Sequence, residues 1–439
     1  MGRIISLFVI LLIHSLWLYK FSSRRLLSPS LLVSAVFDVF AMLYVLNYDF
    51  MNRDISKTQF FIVLFFMFFM DLGELCANRL PRVILLKHKK ISIKGLSVFE
   101  SISFSKNKTY FIFVIMVFVA LIRYISLARY AGTLFSKVNF FTIIGAVRRN
   151  GKYVNDTGKI ISAMVYIGFF LACIYAFYFV YSYVRLHEKK LYLLLPVAGY
   201  MLMDMTSTNR NMMIQMGTCF VVSYLVCLSL GKTKAERRMN IAKLIVSLVC
   251  LLVIFFAYGN LTRSQERRSI AEVRANIVAY SASAMYCMDD YLMYPSVYSN
   301  YYEGAYYSQY IESFLGNKDR IISIQIYPWR QSGSVSNIFT GFFNLMYDFG
   351  FWGTVVSGFV FSFCCVMIER ALMNTKFMSF KYYIFIFILM IYIYCLIMLP
   401  ISDAFPSIFL NPSYLLKISF GVVAAYLIMI LGRGKVWEG

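Results

Sequence analysis

Four polar side chains toward the C-terminal end of the chain are spaced to share one face of a helix. They are Asn337, Thr340, Asn344 and Asp348, and at 100° per residue they fall within about 80° of one another. The surrounding residues are apolar, and a polar group that faces lipid is costly. The stripe is therefore expected to face a protein interior or a watery cavity, and its hydrogen-bonding groups predict a binding site beside the preceding loop.

This apolar stretch is too long for one straight membrane span. It runs from about residue 338 to residue 368, whereas about 20 residues cross a bilayer core. Gly350 and Gly353 are the predicted break. We expect a short helix at the membrane rim and then a crossing from about Gly350 to Ile368.

Arginines in the preceding loop are candidate phosphate ligands. Arg263, Arg267 and Arg274 fall at the edge of an apolar helical face, which is typical of an amphipathic helix on the membrane–water boundary. A guanidinium binds phosphate through two charge-assisted hydrogen bonds, so these side chains could hold a lipid-linked phosphate. The alternative is that they extend to lipid headgroups or pair with Glu266 and Glu272.

The same loop is rich in tyrosine. An aromatic ring offers a flat apolar face to a sugar and the phenol adds a hydroxyl, but tyrosine also populates the interfacial belt of any membrane protein. Both interpretations stay open, and no single tyrosine is singled out. The tyrosines are Tyr280, Tyr286, Tyr291, Tyr294, Tyr298, Tyr301, Tyr302, Tyr306, Tyr307, Tyr310 and Tyr327.

Arg210 ends a polar run between two short apolar runs on the predicted outer side. An arginine at such a boundary is disfavoured unless it is used or paired. It is therefore a second candidate phosphate ligand, and the alternative is an ion pair with Asp204 that holds the turn.

Other ionisable residues have simpler explanations. Asp38, Asp71 and Glu74 could form a proton relay, but pairing with the basic inner loop is favoured for the last two. Asp289 and Asp290 could bind a metal, yet no third ligand has a recognisable spacing, and adjacent loop carboxylates are usually solvated. No histidine is predicted on the outer side, so no histidine general base is expected there.

The composition is that of a membrane protein. Of 439 residues, 60% are hydrophobic and 15% are charged, which is outside the range of soluble globular proteins. The net charge of +22 does not indicate nucleic-acid binding, because the large loop from 260 to 337 is neutral and the excess lies in short loops. The cysteines form neither a disulfide framework nor a zinc spacing.

Apolar runs of membrane length predict an all-α polytopic integral membrane protein with about 11 (10–12) transmembrane helices. Lysine and arginine concentrate in alternate short loops, which places those loops in the cytoplasm and the large loop outside. We expect an N-terminal bundle of about eight helices (1–258, with a medium outer loop at 128–158), a periplasmic loop (259–337) and a C-terminal bundle of about three helices (338–439). The runs are 4–19, 31–48, 59–76, 109–127, 159–184, 191–205, 212–229, 241–258, 350–368, 382–399 and 413–431.

Two stretches resemble a known family. The end of the large loop looks like the corresponding region of bacterial O-antigen polymerases, and the polar run that ends at Arg210 is similar to a second stretch of that family. The layout, with one large outer loop before the last three spans, is similar as well. The matching residues in the large-loop region are Ser336, Asn337, Ile338, Phe339, Thr340, Tyr347, Asp348, Phe349, Gly350 and Gly353.

The resemblance implies a GT-C-like membrane glycosyltransferase in a Gram-negative inner membrane, with its active site facing the periplasm. Such an enzyme passes a growing glycan from undecaprenyl pyrophosphate to the next lipid-linked repeat unit, without nucleotide, metal or another cofactor. Its partners would be the lipid-linked donor and acceptor, the bilayer, a chain-length regulator and a flippase.

The resemblance also implies roles for individual residues. Arg210 and Arg330 would bind the pyrophosphate, with Arg263, Arg267 and Arg274 as further ligands. The site would be lined by Asn337, Thr340, Asn344, Tyr347 and Asp348. Stabilisation of the departing pyrophosphate would be the main catalytic effect, and Asp348 or a loop carboxylate is a candidate to deprotonate the acceptor hydroxyl.

Three other functions are compatible with parts of the sequence. An O-antigen ligase has a similar layout, but ligases generally have a histidine in the large loop and this loop has none. A flippase for lipid-linked sugars would be expected to have inverted repeats and short loops. A structural subunit would not require an inward-facing polar stripe.

Overall fold

A computed structural model describes residues 1–21, 27–51, 53–80, 105–130, 159–205, 211–231, 283–293, 305–316, 327–328, 335–336, 340–377 and 379–431. Within these ranges the chain is helical apart from turns, short connections and one short antiparallel ladder. The ladder pairs Tyr327 with Ser336 and Pro328 with Val335. The amphipathic helix expected around Arg263 to Arg274 lies outside the described residues.

The helices follow the predicted apolar runs closely. The exception is the run at 241–258, which lies outside the described residues. In chain order the elements are α1 (Gly2–Phe21), α2 (Pro29–Leu46), α3 (Tyr48–Met51), α4 (Lys57–Arg79), α5 (Lys106–Tyr130), α6 (Lys159–Arg185), a 3-10 turn (Leu191–Leu194), α7 (Leu195–Met205), α8 (Asn211–Ser229), α9 (Ser283–Met293), α10 (Ala305–Phe314), β1 (Tyr327–Pro328), β2 (Val335–Ser336), α11 (Gly341–Asn374), α12 (Phe380–Met398), α13 (Phe405–Phe409) and α14 (Pro412–Leu431).

Seven of the described helices are long and apolar enough to cross a membrane, namely α1, α2, α4, α5, α6, α11 and α12. Three shorter apolar helical stretches, 191–205, 214–229 and 412–428, accompany them. The chain is thus a helical multi-pass membrane protein, as its composition predicted. The count of about eleven spans and the GT-C-like arrangement stay predictions.

Two serines define where the early helices begin. Ser28 caps α2 by accepting a hydrogen bond from the Leu31 N–H at 3.2 Å, and Ser56 caps α4 by accepting one from the Gln59 N–H at 3.1 Å. Both arrangements satisfy amide groups that lack a partner in the first helical turn. Pro29 follows the first cap, where its missing N–H costs nothing.

The chain forms two compact units, each assembled from three separate stretches. The first contains residues 1–86, 269–371 and 392–415, and the second contains 87–268, 372–391 and 416–439. These units differ in kind from the predicted segments, which describe the order of spans along the chain and stay predictions. Those segments are 1–258, 259–337 and 338–439.

In the first unit, α4 and α11 approach each other closely because glycine lines their contact. A Cβ at Gly73 would lie 2.3 Å from the Phe359 carbonyl oxygen, and one at Gly358 would lie 2.6 Å from that of Phe66. The Ser362 hydroxyl donates to the Met70 carbonyl at 2.6 Å across the same contact. Small residues that let helix backbones meet are the usual basis of helix packing in lipid.

In the second unit, aromatic side chains fill the space beside α6. Phe170 lies edge-on to Phe387 with ring centroids 4.9 Å apart. Phe169 is also edge-on to Phe387, with ring centroids 5.4 Å apart. Such edge-to-face pairs are a favoured geometry for aromatic rings. None of the predicted site residues within the described ranges belongs to this unit.

The predicted break in the long apolar stretch is confirmed at Gly350. Its backbone has φ 67° and ψ −169°, a combination that is essentially restricted to glycine. The kink separates a short helical part, Gly341 to Phe349, from the longer part that reaches Asn374. Gly353, the other expected break, remains helical.

We predict that Gly350→Ala destabilises the protein by about 1–3 kcal/mol, the typical cost of forcing a side chain into such a backbone conformation. An added Cβ would meet no atom within 4 Å, so the cost comes from the backbone alone. Thermal unfolding of the purified protein in lipid nanodiscs measures it. Gly2→Ala is the matched control, since its Cβ also enters open space; equal melting temperatures for the two variants would contradict the prediction.

Candidate functional site

The helix expected to carry the polar stripe begins later than predicted, at Gly341, so Asn344 and Asp348 lie on α11 and Thr340 does not. Thr340 directly precedes the helix and is buried, and its hydroxyl has no hydrogen-bond partner among the described residues. Asn344, Tyr347 and Asp348 lie on the short helical part before the kink and are half-buried. The remaining predicted site residues, Arg210, Arg263, Arg267, Arg274, Arg330 and Asn337, lie outside the described residues.

Asp348 is held by the loop helix α10. Its carboxylate accepts a hydrogen bond from the backbone N–H of Tyr307 at 2.8 Å. The Tyr307 ring packs edge-on against Phe349 with centroids 4.9 Å apart. The helix of the large loop is thus fixed to the short part of α11 at Asp348, one of the candidates for proton transfer that the family resemblance implied.

A second carboxylate, Asp403, faces the same tyrosine. The Tyr307 hydroxyl donates to Asp403 Oδ2 at 2.6 Å, and the Phe405 N–H donates to Asp403 Oδ1 at 3.0 Å. Asp403, Tyr307 and Asp348 are all half-buried. We refer to these three residues as the Tyr307 cluster.

The electrostatics of the cluster favour a proton-accepting role for Asp403. Burial raises the pKa of Asp403 from 3.8 to about 7 and the negative charge of Asp348 adds to this effect, while the hydrogen bonds from Tyr307 and Phe405 oppose it. Burial and the charge of Asp403 raise the pKa of Tyr307 well above its usual range. At neutral pH the tyrosine therefore remains a donor, and Asp403 lies near the midpoint of its titration.

Two further tyrosines of the large loop adjoin the cluster. Burial and then the charge of Asp403 raise the pKa of Tyr310. Burial and then the charge of Asp348 raise the pKa of Tyr291, whose ring packs against Phe343 with centroids 4.9 Å apart. The sequence could not single out a tyrosine, whereas the tertiary structure brings three of them to the carboxylates.

Gly341 positions the segment that contains Asp403. Its N–H donates to the Leu399 carbonyl at 2.6 Å, and a Cβ there would lie 2.7 Å from the Leu399 side chain and 3.3 Å from the Asp403 Cα. The start of α11 and the end of α12 can therefore approach closely only with glycine at this position.

Asp403 was missed by the sequence analysis. The only signal was an acidic residue in the short segment between Pro400 and Pro412, which is predicted to lie on the outer side, and one loop aspartate is not informative by itself. Its proximity to Asp348 depends on contacts between segments that are far apart in the chain.

The expectation that Asp289 and Asp290 are solvated is wrong. Both are buried, and Arg53 forms ion pairs with both, at 3.4 Å to Asp290 Oδ1 and closer to Asp289. The Ser56 N–H also donates to Asp289 Oδ1 at 2.6 Å. This Arg53 cluster fixes α9 to the beginning of α4 and thereby positions Tyr291.

The partners of Arg53 stabilise its protonated, positively charged form. Burial lowers the pKa of Arg53, but the hydrogen bond and charge of Asp289, with further contributions from Tyr286 and Asp290, outweigh that effect and raise it. The Arg53 guanidinium also lies over the Tyr286 ring, 5.1 Å from its centroid. These contacts indicate a structural ion pair at the base of the large loop.

No three histidine, cysteine, aspartate or glutamate side chains within the described ranges are grouped as metal ligands would be. Comparisons of this chain with protein-family models, with curated proteins and with solved structures gave no match. The class of protein therefore follows from the chain itself: a multi-pass helical membrane protein with two carboxylates and a tyrosine joined at one end of its first unit.

We predict that Arg53→Met destabilises the protein by about 3–5 kcal/mol, because it leaves buried carboxylates without a partner. Thermal unfolding in nanodiscs measures the loss. Adding Asp289→Asn and Asp290→Asn to this variant should restore much of the stability, since the uncompensated charges are then removed.

Arg3→Met is the control for that series. Arg3 contacts Asp54 at the protein surface, with its side chain 44% exposed, and exposed ion pairs contribute little to the free energy of unfolding. An Arg53→Met protein as stable as the Arg3→Met protein would show that the Arg53 cluster does not hold the loop.

Proposed function

We propose that this protein polymerises undecaprenyl-pyrophosphate-linked oligosaccharide repeat units into O-antigen or a similar surface polysaccharide, at the periplasmic face of a bacterial inner membrane. The observation that supports this proposal most is the Tyr307 cluster, because glycosyl transfer to a sugar hydroxyl needs a group that accepts the hydroxyl proton. A membrane protein that places such a group beside its predicted outer loop suits a lipid-linked substrate.

In this mechanism Asp403 is the general base. A pKa of about 7 leaves an appreciable fraction of the carboxylate deprotonated at neutral pH, and a base is most effective when its pKa is near the working pH. The Tyr307 hydroxyl orients the carboxylate by donating to Oδ2. The acceptor oxygen attacks the anomeric carbon, its proton passes to Asp403, and the bond to the pyrophosphate breaks.

Asp348 fixes the arrangement and maintains the basicity of Asp403. It anchors the Tyr307 backbone, and its negative charge helps to raise the pKa of Asp403. Asp348 therefore acts here as a positioning residue, whereas the resemblance to O-antigen polymerases suggested it as a base. Its partly exposed neighbours Asn344 and Tyr347 can contact the acceptor glycan.

The donor pyrophosphate belongs on a different part of the site. Two neighbouring carboxylates repel an anion, so the Tyr307 cluster suits the uncharged acceptor sugar rather than the leaving group. The predicted phosphate ligands are Arg210 and Arg330, with Arg263, Arg267 and Arg274 around them. Bidentate contacts from arginine would stabilise the charge that develops on the pyrophosphate.

Gel analysis of lipopolysaccharide from the native host tests the function. Deletion of the protein should leave lipopolysaccharide core that bears a single repeat unit, without the ladder of bands that polymerised chains give on the gel. Arg210→Ala or Arg330→Ala protein, present in the membrane at the normal level, should fail to restore those bands. Bare core with long chains on the lipid carrier would indicate a ligase instead. Bare core, with single repeat units held on the lipid carrier in the inner leaflet, would indicate a flippase. An unchanged band pattern would exclude the polymerase, the ligase and the flippase.

We predict that Asp403→Asn lowers the rate of polymerisation by about 100-fold or more, the usual range for loss of a general base. The substrate is the lipid-linked repeat unit extracted from the deletion strain, and the enzyme is the full chain in nanodiscs. For the original protein the rate should fall as the pH drops below about 7, because Asp403 becomes protonated.

The pH dependence of the rate in a Tyr307→Phe protein distinguishes a general base at Asp403 from a purely structural role of that residue. The hydrogen bond from Tyr307 lowers the pKa of Asp403, so its loss should move the acidic limb of the rate profile to higher pH. Tyr110→Phe is the control, since that tyrosine is exposed on α5. A wild-type profile for Tyr307→Phe, or a wild-type rate for Asp403→Asn, would refute the role of Asp403.

Loss of activity in Asp403→Asn should not reflect unfolding. Because the folded-state pKa of Asp403 lies above 3.8, this carboxyl contributes stability below about pH 4 and that contribution is lost as the pH rises through about 7. At pH 8 the Asp403→Asn protein should therefore be at least as stable as the original.

A further inference from the structure

Polar side chains also meet at the opposite end of the first unit, within the membrane-spanning helices. His14 on α1 lies between Ser34 on α2 and Asp71 on α4, with Nε2 2.8 Å from Asp71 Oδ2 and Nδ1 3.0 Å from the Ser34 hydroxyl. The Ser15 hydroxyl donates to Ser34 at 3.0 Å. We call His14, Ser15, Ser34 and Asp71 the His14 cluster. Asp71 thus has a partner on α1, whereas most of the basic inner loop with which it was expected to pair lies outside the described residues.

The cluster lies inside the apolar part of the helices. Asp71 precedes the last residue of α4 by eight positions, which corresponds to about 12 Å at 1.5 Å per residue. The side chains of His14 and Asp71 are 20% and 22% exposed. An ionisable residue at such depth is costly and marks a functional site unless a partner compensates it.

The Ser34 hydroxyl can hydrogen-bond to His14 Nδ1 whether or not that nitrogen carries a proton. When Nδ1 carries no proton, the Ser34 hydroxyl donates to it. When Nδ1 carries one, the imidazolium donates to Ser34, whose hydroxyl can turn to the Leu11 carbonyl at 3.4 Å. Ser15 donates to Ser34 in both cases, so neither state leaves the imidazole without a hydrogen bond.

A polar route connects the cluster to the helix ends. Glu74 is one turn beyond Asp71 on α4 and accepts from the Ser28 hydroxyl at 2.8 Å, at the first residues of α2. Ser30 is fully buried there, and its hydroxyl has no partner among the described residues. The sequence predicts that these ends of α2 and α4 face the cytoplasm, opposite to the Tyr307 cluster.

Other charged groups surround this region. Asp38 lies one turn beyond Ser34 on α2, and its Oδ1 is buried without a partner among the described residues. On α11, Glu369 is buried, and Arg370 donates to the carbonyls of Asn78 and Leu80 at the end of α4. On the helices that carry or adjoin the pair, the other described acidic groups toward these ends are Asp38, Glu74 and Glu369, and the described cations there are Lys20, Arg79 and Arg370.

We propose that His14 and Asp71 form a proton-binding site within the membrane, filled from the end of the helices predicted to be cytoplasmic. In the proton-loaded state both ring nitrogens carry a proton, with Nε2–H donating to Asp71 and Nδ1–H donating to Ser34, so the pair has no net charge. Loss of the Nδ1 proton to water leaves a carboxylate beside a neutral imidazole that still donates from Nε2. The direct 2.8 Å contact leaves no space for a metal ion between them. This proposal does not depend on the polymerase function.

The chain offers a direct experiment because it has only 3 histidines. His88→Gln with His187→Gln leaves His14 as the single histidine, so every imidazole ¹⁵N signal from this protein in nanodiscs belongs to His14. Spectra are recorded from pH 5 to 9 for this protein and after adding Asp71→Asn. Glu188→Gln is the control, because Glu188 pairs with Lys190 and its side chain is 48% exposed.

The His14 signals should change from those of a ring with one protonated nitrogen to those of a ring with two as the pH falls, and Asp71→Asn should alter the pH range of that change because Nε2 loses its carboxylate partner. Glu188→Gln should leave the range where it was. Signals that stay constant from pH 5 to 9, or an unaltered range in the Asp71→Asn protein, would overturn the proposal. Ser34→Ala should also alter the range, which tests the site if the Asp71 variant does not fold.

Discussion

The structure depends on one constraint: a polar group removed from water must find its hydrogen-bond partner within the protein. Each buried cluster of the first unit follows from it. Tyr307 bonds to both Asp348 and Asp403, and Arg53 pairs with two aspartates of the large loop. Because each pair joins segments distant in sequence, meeting this requirement also determines the tertiary arrangement of those segments.

Glycine supplies the second requirement, which is close approach of the backbones. Gly73 and Gly358 allow α4 and α11 to touch, and Gly341 allows the end of α12 to reach the start of α11. Gly350 then turns the first part of α11 away from the spanning part. The kink ends the short helical part and leaves Asp348 beside the loop helix α10.

The proposed chemistry separates charges by their sign. Two carboxylates in the Tyr307 cluster suit a neutral acceptor, and the arginines expected from the sequence suit a pyrophosphate donor. An enzyme that joins a lipid-linked anion to a sugar hydroxyl needs both environments a short distance apart. The ionisable pair at the other end of the unit has no place in that reaction, which is why we assign it a separate role.

The sequence by itself determined the class of the protein, most helix positions and the break at Gly350, because these follow from local hydrophobicity and from glycine's freedom at positive φ. It also singled out Asp348 as a candidate, through helical spacing. It did not find Asp403, the buried state of Asp289 or the pairing of His14 with Asp71. Those features arise where segments separated by 57 to 236 residues meet, and the energy of a buried charge depends on surroundings that only the folded chain provides.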